Sequence, residues 1–242
     1  MTTHYFISDL HLQADRPAMA EGFFDLLARL DDAKTLYILG DFFEVWVGDD
    51  YSDELVDRIK ASLKALSDRG VAIYFMHGNR DFLMGDAFAN ACGANMLEEG
   101  TVISIGDQKA LLLHGDSLCT RDQAYMNMRQ LFRHPQWQAQ ILSKSLEERL
   151  ALGKQIRSES KSGQQMKADD IMDVTPEEVD NALTEQGVSL LIHGHTHRPD
   201  THEWDFDGEA RTRIVLGDWG DDHGWLIRWP EDGSPTLERF SF

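Results

Sequence analysis

Cysteine is nearly missing from this chain: Cys92 and Cys119 are the only two in 242 residues, and they form no C-x-x-C pair. That excludes a disulfide-stapled secreted scaffold and fits a reducing compartment. Long apolar runs are missing as well. None approaches the roughly 18–20 residues needed to span a bilayer. No secretory leader is expected, because Met1-Thr2-Thr3-His4 runs straight into the strand-like Tyr5-Phe6-Ile7. Basic residues are scarce, with 23 Lys and Arg against 42 Asp and Glu, a net charge of −19. So acidic a chain is no general binder of nucleic acid or anionic lipid, and no nucleic-acid partner is expected. Internal repeats and low-complexity tracts are absent too. What is there is a 42% hydrophobic chain long enough to bury a full core, which predicts one large domain.

The charge is unevenly spread. Residues 121–167 hold nine Lys and Arg against four Asp and Glu, a net of +5, whereas the remainder carries −24. The same stretch places Tyr125, Met128, Leu131, Phe132, Trp137, Ile141, Leu142, Leu146 and Leu150 at mostly helical spacing. An ordinary helical subdomain with a solvated face also has this pattern.

Elsewhere, short apolar runs of strand length repeatedly end in polar, chemistry-bearing residues. The segment 35–50, TLYILGDFFEVWVGDD, begins as a buried strand, breaks at Gly40 and presents Asp41. Open α/β sheets place their ligands at such strand ends, and a carboxylate can touch two cations at once. His4–Leu12, HYFISDLHL, ends in Asp9-Leu10-His11. Residues 71–76 run into His77-Gly78-Asn79-Arg80-Asp81, where Asn79 offers a neutral oxygen and Arg80 a fixed cation suited to phosphate. Residues 110–113 end in His114-Gly115-Asp116, and residues 189–192 in His193-Gly194-His195-Thr196-His197. Alternating His195 and His197 after a strand is the strongest single metal signal. His77 and His193 are read as supports behind the ligands, and His4, His134, His202 and His223 as structural or surface residues. Amphipathic helices are expected around Ala20–Leu30 and Leu55–Leu66. The tail segments 211–219 and 224–229 look like antiparallel strands.

Taken singly, each strand end is also an ordinary turn. Together they deliver Asp9, His11, Asp41, Asn79, His114, His195 and His197, a mixed oxygen and nitrogen set without thiolates that suits Mn, Fe or Zn. Seven ligands are too many for one ion and about right for two sharing a carboxylate. A two-metal site polarises a phosphoryl oxygen, generates a nucleophile at neutral pH and clamps an in-line displacement.

D-x-H, G-D, G-N-x-D, H and G-H-x-H, in this order, resemble the calcineurin-like metallophosphoesterases over nearly the whole chain. ISDLHL, ILGDFFEVWVGDD, HGNRDFLMG, LLHGDSLCTRDQAY, HGHTHRP and IVLGDW narrow the resemblance to the UDP-2,3-diacylglucosamine hydrolases of the lipid A pathway. The resemblance implies an α/β fold, a β-sandwich core flanked by helices, with a helical cap inserted at about residues 122–168. It implies cleavage of the pyrophosphate of UDP-2,3-diacylglucosamine to UMP and 2,3-diacylglucosamine 1-phosphate (lipid X), using two Mn2+ per chain. By position, Asp9, His11, Asp41 and His197 hold one ion, and Asp41, Asn79, His114 and His195 the other, with Asp41 as the bridge. Arg80, where many members of the wider superfamily have His, stabilises phosphoryl charge and cannot serve as a general acid at neutral pH. The cap is expected to receive acyl chains in an apolar chamber that includes Phe132 and Leu142. Asp122, Tyr125, Arg157, Ser160, Gln164 and Lys167, with Asn79, Arg80 and His195, are expected to reach the substrate. A monomer is expected, cytoplasmic and peripheral on the inner membrane, touching it transiently through outward-facing Arg129, Arg133 and Lys144. Two rival readings stay open. A metallophosphoesterase for nucleotides or phosphoproteins would have no use for a greasy insertion, and an inactive scaffold of the same fold should have lost ligands.

Overall fold

The computed structural model describes residues 2–164, 171 and 173–242. The first part of the chain alternates strand and helix: β1 (Thr3–Ile7), α1 (Pro17–Arg29), β2 (Ala33–Leu39), α2 (Glu54–Asp68), β3 (Ala72–Met76), α3 (Asp86–Ala91) and β4 (Ala94–Leu97). A hairpin of β5 (Thr101–Ile105) and β6 (Gln108–Leu112) follows. Three helices come next, α4 (Gln123–Phe132), α5 (Pro135–Leu142) and α6 (Leu146–Gln164), and then α7 (Pro176–Gln186). The chain finishes with β7 (Leu190–His193), β8 (Asp200–Phe206), β9 (Glu209–Val215), β10 (His223–Pro230) and β11 (Thr236–Ser241).

The strands form two sheets, ordered β11-β10-β1-β2-β3-β4 and β5-β6-β7-β9-β8. β1 to β4 run parallel, as do β6, β7 and β9, while the outer pairings with β10, β11, β5 and β8 are antiparallel. The two tail segments read as antiparallel strands therefore part company, β9 joining one sheet and β10 the other. Period-2 alternation sorts the strand residues into three apolar layers. Phe6, Tyr37, Leu39, Leu112, Ile192 and Ile214 meet between the sheets. Ile7, Leu36 and Ile38 face the other way, onto Phe23, Leu27, Ile59 and Leu63 of α1 and α2. Leu111 and Leu191 face Val179 and Leu183 of α7. Each fully buried Leu, Ile or Phe contributes about 1.5–3 kcal/mol, so the sandwich is fixed by these layers.

Local chemistry supports the helices. The α2 N-cap Asp53 accepts from Val56 N at 2.8 Å, with Glu54 and Asp57 in the first turn complementing the dipole. Asp122 caps α4 in the same way, accepting from Tyr125 N at 3.0 Å. The α4–α5 corner is tied down by aromatic contact: Phe132 stacks on Phe82 at 5.4 Å and lies 4.8 Å from Trp137. The buried Arg149 anchors α6 by donating to the Val47 carbonyl and pairing with Asp50.

Candidate metal centre

Five strand ends converge at one rim of the sandwich. Asp9 and His11 leave β1 with φ of 56° and 50°, Asp41 leaves β2 at 51°, and His195 and His197 follow β7 at 68° and 56°. Among the described residues the one other non-glycine with positive φ is Asp207, in the β8–β9 turn. A left-handed L-residue costs about 1–2 kcal/mol, so this rim stores strain that aims five side chains inward. Two glycines make the close approach possible. A Cβ on Gly78 would lie 2.1 Å from Asp41 Oδ1, and one on Gly194 would lie 2.2 Å from Asp9 Oδ2.

Donor atoms of Asp9, His11 and His197 lie within 4.8 Å of one another, and so do those of Asp9, Asp41 and His114. Asn79 Oδ1 stands 3.1 Å from His114 Nε2 and 2.9 Å from His195 Nδ1. All seven predicted ligands are thus brought together. The two tight groups overlap at Asp9. Asp41 turns its carboxylate towards Arg80, accepting from the backbone N at 2.9 Å and from Nε at 3.2 Å. Asp81, buried behind, accepts from Phe42 N and Gly78 N, both at 2.7 Å, and so ties the loop after β2 to the turn after β3.

A family model, calcineurin-like phosphoesterase, matches residues 3–199. A UDP-2,3-diacylglucosamine hydrolase from Chromohalobacter salexigens is 51% identical over 100% of this chain and 98% of its own length. Those from Cellvibrio japonicus and Pseudomonas putida are 52% and 50% identical, covering 92% and 94% of this chain and 92% and 95% of their own. The chain belongs to the UDP-2,3-diacylglucosamine hydrolase family of calcineurin-like phosphoesterases.

A calcineurin-like phosphoesterase implies a binuclear metal site, and the residues at this rim fit one. Asp9 Oδ1 and His11 Nδ1 are buried without a hydrogen-bond partner, and His11 Nε2 faces His197 Nε2 at 3.2 Å. Burial raises Asp41 to about 6 in spite of the neighbouring His114 and Arg80 charges. Burial opposes charge on His114, yet the carboxylates of Asp41, Asp9 and Asp116 lift it to about 9. Burial would also raise Asp9, but His197, His114 and His11 hold it well below the usual carboxylate range. Burial, together with the Arg80 charge, drives His11 down, and burial with His114 takes His195 to about 4. Burial thus favours the uncharged imidazoles of His11 and His195, the form in which a histidine binds a divalent cation. His114 Nδ1 lies 2.8 Å from the Leu39 carbonyl, which can only accept, so its Nε2 is the nitrogen available to a metal. Of the two histidines read as supports, His77 Nε2 meets the Met84 carbonyl at 2.6 Å and His193 Nδ1 the Gly194 carbonyl at 2.8 Å.

Two carboxylates passed over in the sequence matter here. Glu44 accepts from Arg80 Nη1 at 2.9 Å and from Arg157 Nε, and it lies 3.5 Å from His11 Nδ1. Asp116, fully buried, accepts from Tyr125 OH and from Arg129 Nε at 2.9 Å. Their signal was position alone, Glu44 three residues beyond Asp41 and Asp116 two beyond His114.

A cavity runs from Asn79, Arg80 and Tyr125 under α4–α6, walled by Phe82, Phe132, Trp137, Ile141 and Ile156, with Arg157 and Ser160 along α6. Several expectations change. Leu142 is 44% exposed and does not line it. Asp122 caps α4 and is not among the lining residues. Arg129 and Arg133 do not face outward, because acidic and carbonyl partners at the strand ends draw them in. Arg129 pairs with Asp116 and Glu99, and Arg133 donates to the Gly78 carbonyl at 3.0 Å. Lys144 is exposed. The Gln164 side chain and Lys167 lie outside the described residues.

Proposed function

We propose that the chain hydrolyses the pyrophosphate bond of UDP-2,3-diacylglucosamine, releasing UMP and lipid X, with two Mn2+ ions. The observation that carries this reading is the aromatic and aliphatic cavity that reaches the ligand Asn79 and its neighbour Arg80. A hydrolase of soluble nucleotides or phosphoproteins has no use for it. Asp9, His11, Asp41 and His197 would hold one ion and Asp41, Asn79, His114 and His195 the other, Asp41 being common to both sets. When bound, the two ions supply Lewis-acid polarisation of the phosphoryl group and a nucleophile at neutral pH. Arg80, fixed by Asp41 and Glu44, presents a permanent cation to the phosphates. The departing group is a phosphate monoester with a second pKa of about 6, so it leaves without a proton and needs a cation rather than an acid at this position. Asn79, Tyr125, His195, Arg157 and Ser160 flank the phosphosugar.

The chain forms one domain with a cap inserted at about residues 122–168, and it works as a monomer on the cytoplasmic face of the inner membrane. No helix among the described residues is long and apolar enough to cross a membrane, and the proposed contact is a peripheral one. The test is UMP release from the dispersed diacyl substrate with Mn2+ and with chelator. Phe132→Asp, which charges the cavity wall, is expected to raise KM several-fold with little change in kcat. Absence of UMP from the Mn-loaded protein refutes the reading.

A further inference from the structure

A second cavity lies on the other side of residues 45–47 from the first, and the reading above leaves it without a role. It begins at Leu12 and Gln13, next to His11, and at Phe43 and Glu44, just beyond Asp41, so it opens on the His11 side of the centre. The apolar cavity opens on the Asn79 and Arg80 side. Both are lined by Glu44 and Arg157, which pair with each other and form the charged part of the seam between them. The two cavities therefore meet at Glu44 and Arg157, the first reaching Asn79 and the second the chain neighbours of His11 and Asp41.

A pyrophosphate diester with one greasy half and one nucleoside half calls for that division. We infer that the second cavity takes the pyrimidine nucleoside monophosphate half of the substrate; the inference rests on the function proposed above and deepens it. Gln13 carries an amide with both a donor and an acceptor, the complement of an imide edge with N–H beside C=O. Tyr51 is half-buried, and its ring is fixed by donation of its hydroxyl to Asp53 Oδ2 at 2.6 Å and by edge contact with Trp46 at 6.1 Å. That presents a flat face for a base. Lys154 and Arg157 stand three residues apart on α6, on one helix face, where they offer charge to a phosphate crossing the seam.

The test measures UMP itself, by titration calorimetry into the Mn-loaded protein, beside lipid X. Gln13→Ala and Lys154→Ala are each expected to weaken UMP about tenfold, the equivalent of one lost polar contact to a charged or tightly held group, and to leave lipid X unchanged. Phe132→Asp should do the reverse. Unaltered UMP affinity in both polar variants overturns the inference, as does equal weakening of UMP and lipid X. A parent protein that binds UMP in this pattern yet releases none from the diacyl substrate upholds the cavity assignment and refutes the proposed substrate instead.

Discussion

Replacing Glu44 with Gln isolates the part played by the carboxylate that the arginines share. Glu44 is 19% exposed and accepts from Arg80 Nη1 at 2.9 Å and from Arg157 Nε, so it joins the rim to helix α6. A hydrogen bond to a charged group is worth about 1.5–3 kcal/mol net. The amide keeps one acceptor for one guanidinium and turns an N–H donor toward the other, so roughly one such contact is lost. Arg80 retains its contacts with Asp41, which bounds the damage. A loss on the order of 2 kcal/mol in transition-state stabilisation corresponds to about a 30-fold fall in kcat/KM. The assay is UMP release at saturating Mn2+, with metal content and thermal unfolding measured on the same sample. Two ions should remain bound, because Glu44 holds arginines rather than metal. A parent-like or higher kcat/KM refutes the positioning role, and loss of an ion reassigns Glu44 to the metal.

Asp41→Asn is expected to lower turnover at least about 100-fold and to reduce metal content, since it removes charge from the centre of the cluster; near-normal activity with two ions bound refutes its placement between them. Gly78→Ala should cost about 1–3 kcal/mol of stability and most of the activity, because its Cβ would lie 2.1 Å from Asp41 Oδ1. A parent-like melting temperature for that variant would show that the two turns are free to separate. Asp32, away from the site, is pushed up by burial but held below the ordinary carboxylate range by Thr3, Tyr5 and Arg228. A depressed folded value stabilises above the unfolded value of about 3.9 and is lost as pH falls through the folded one. Asp32→Asn should therefore narrow the gap in melting temperature between pH 7 and pH 3, and an unchanged gap removes Asp32 from the acid limb.

The ligand cluster was legible because five of its members follow within three residues of a buried apolar run: Ile7 before Asp9, Leu39 before Asp41, Met76 before Asn79, Leu113 before His114, and Ile192 before His195. Burial on both faces gives such strands an unbroken apolar signature. β8 and β11 gave no such signal. They sit at sheet edges and are mostly exposed, so their alternation is shallow. β4 and β5 escaped for a related reason, being short edge strands only partly buried. Glu44 escaped because a glutamate in a polar stretch looks like solvated surface until a second chain segment brings Arg157 against it. Boundaries moved by one or two residues, as at β7, where His193 stays in the ladder opposite Val215.

The basic excess of residues 121–167 shows what a charge count leaves out, namely direction. Arg129 goes to Asp116 and Glu99, Arg133 to the carbonyls of His77 and Gly78, Arg149 to Asp50 and the Val47 carbonyl, and Arg157 to Glu44. Four of the nine cations thus fasten the helices to an acidic core. Beside polar residues such as Lys144, the helices expose Met128, Leu131 and Leu142, 40%, 50% and 44% exposed, which are the exposed large hydrophobics among the described residues. A contact made by such side chains scales with apolar area, at roughly 25 cal/mol per Å² removed from water, and depends little on ionic strength. Vesicle binding should therefore survive a rise from low to physiological salt, and Leu131→Gln with Leu142→Gln should weaken it several-fold while hydrolysis of detergent-dispersed substrate is kept. Binding that collapses with salt and ignores both leucines would return the docking role to Lys144 and its basic neighbours.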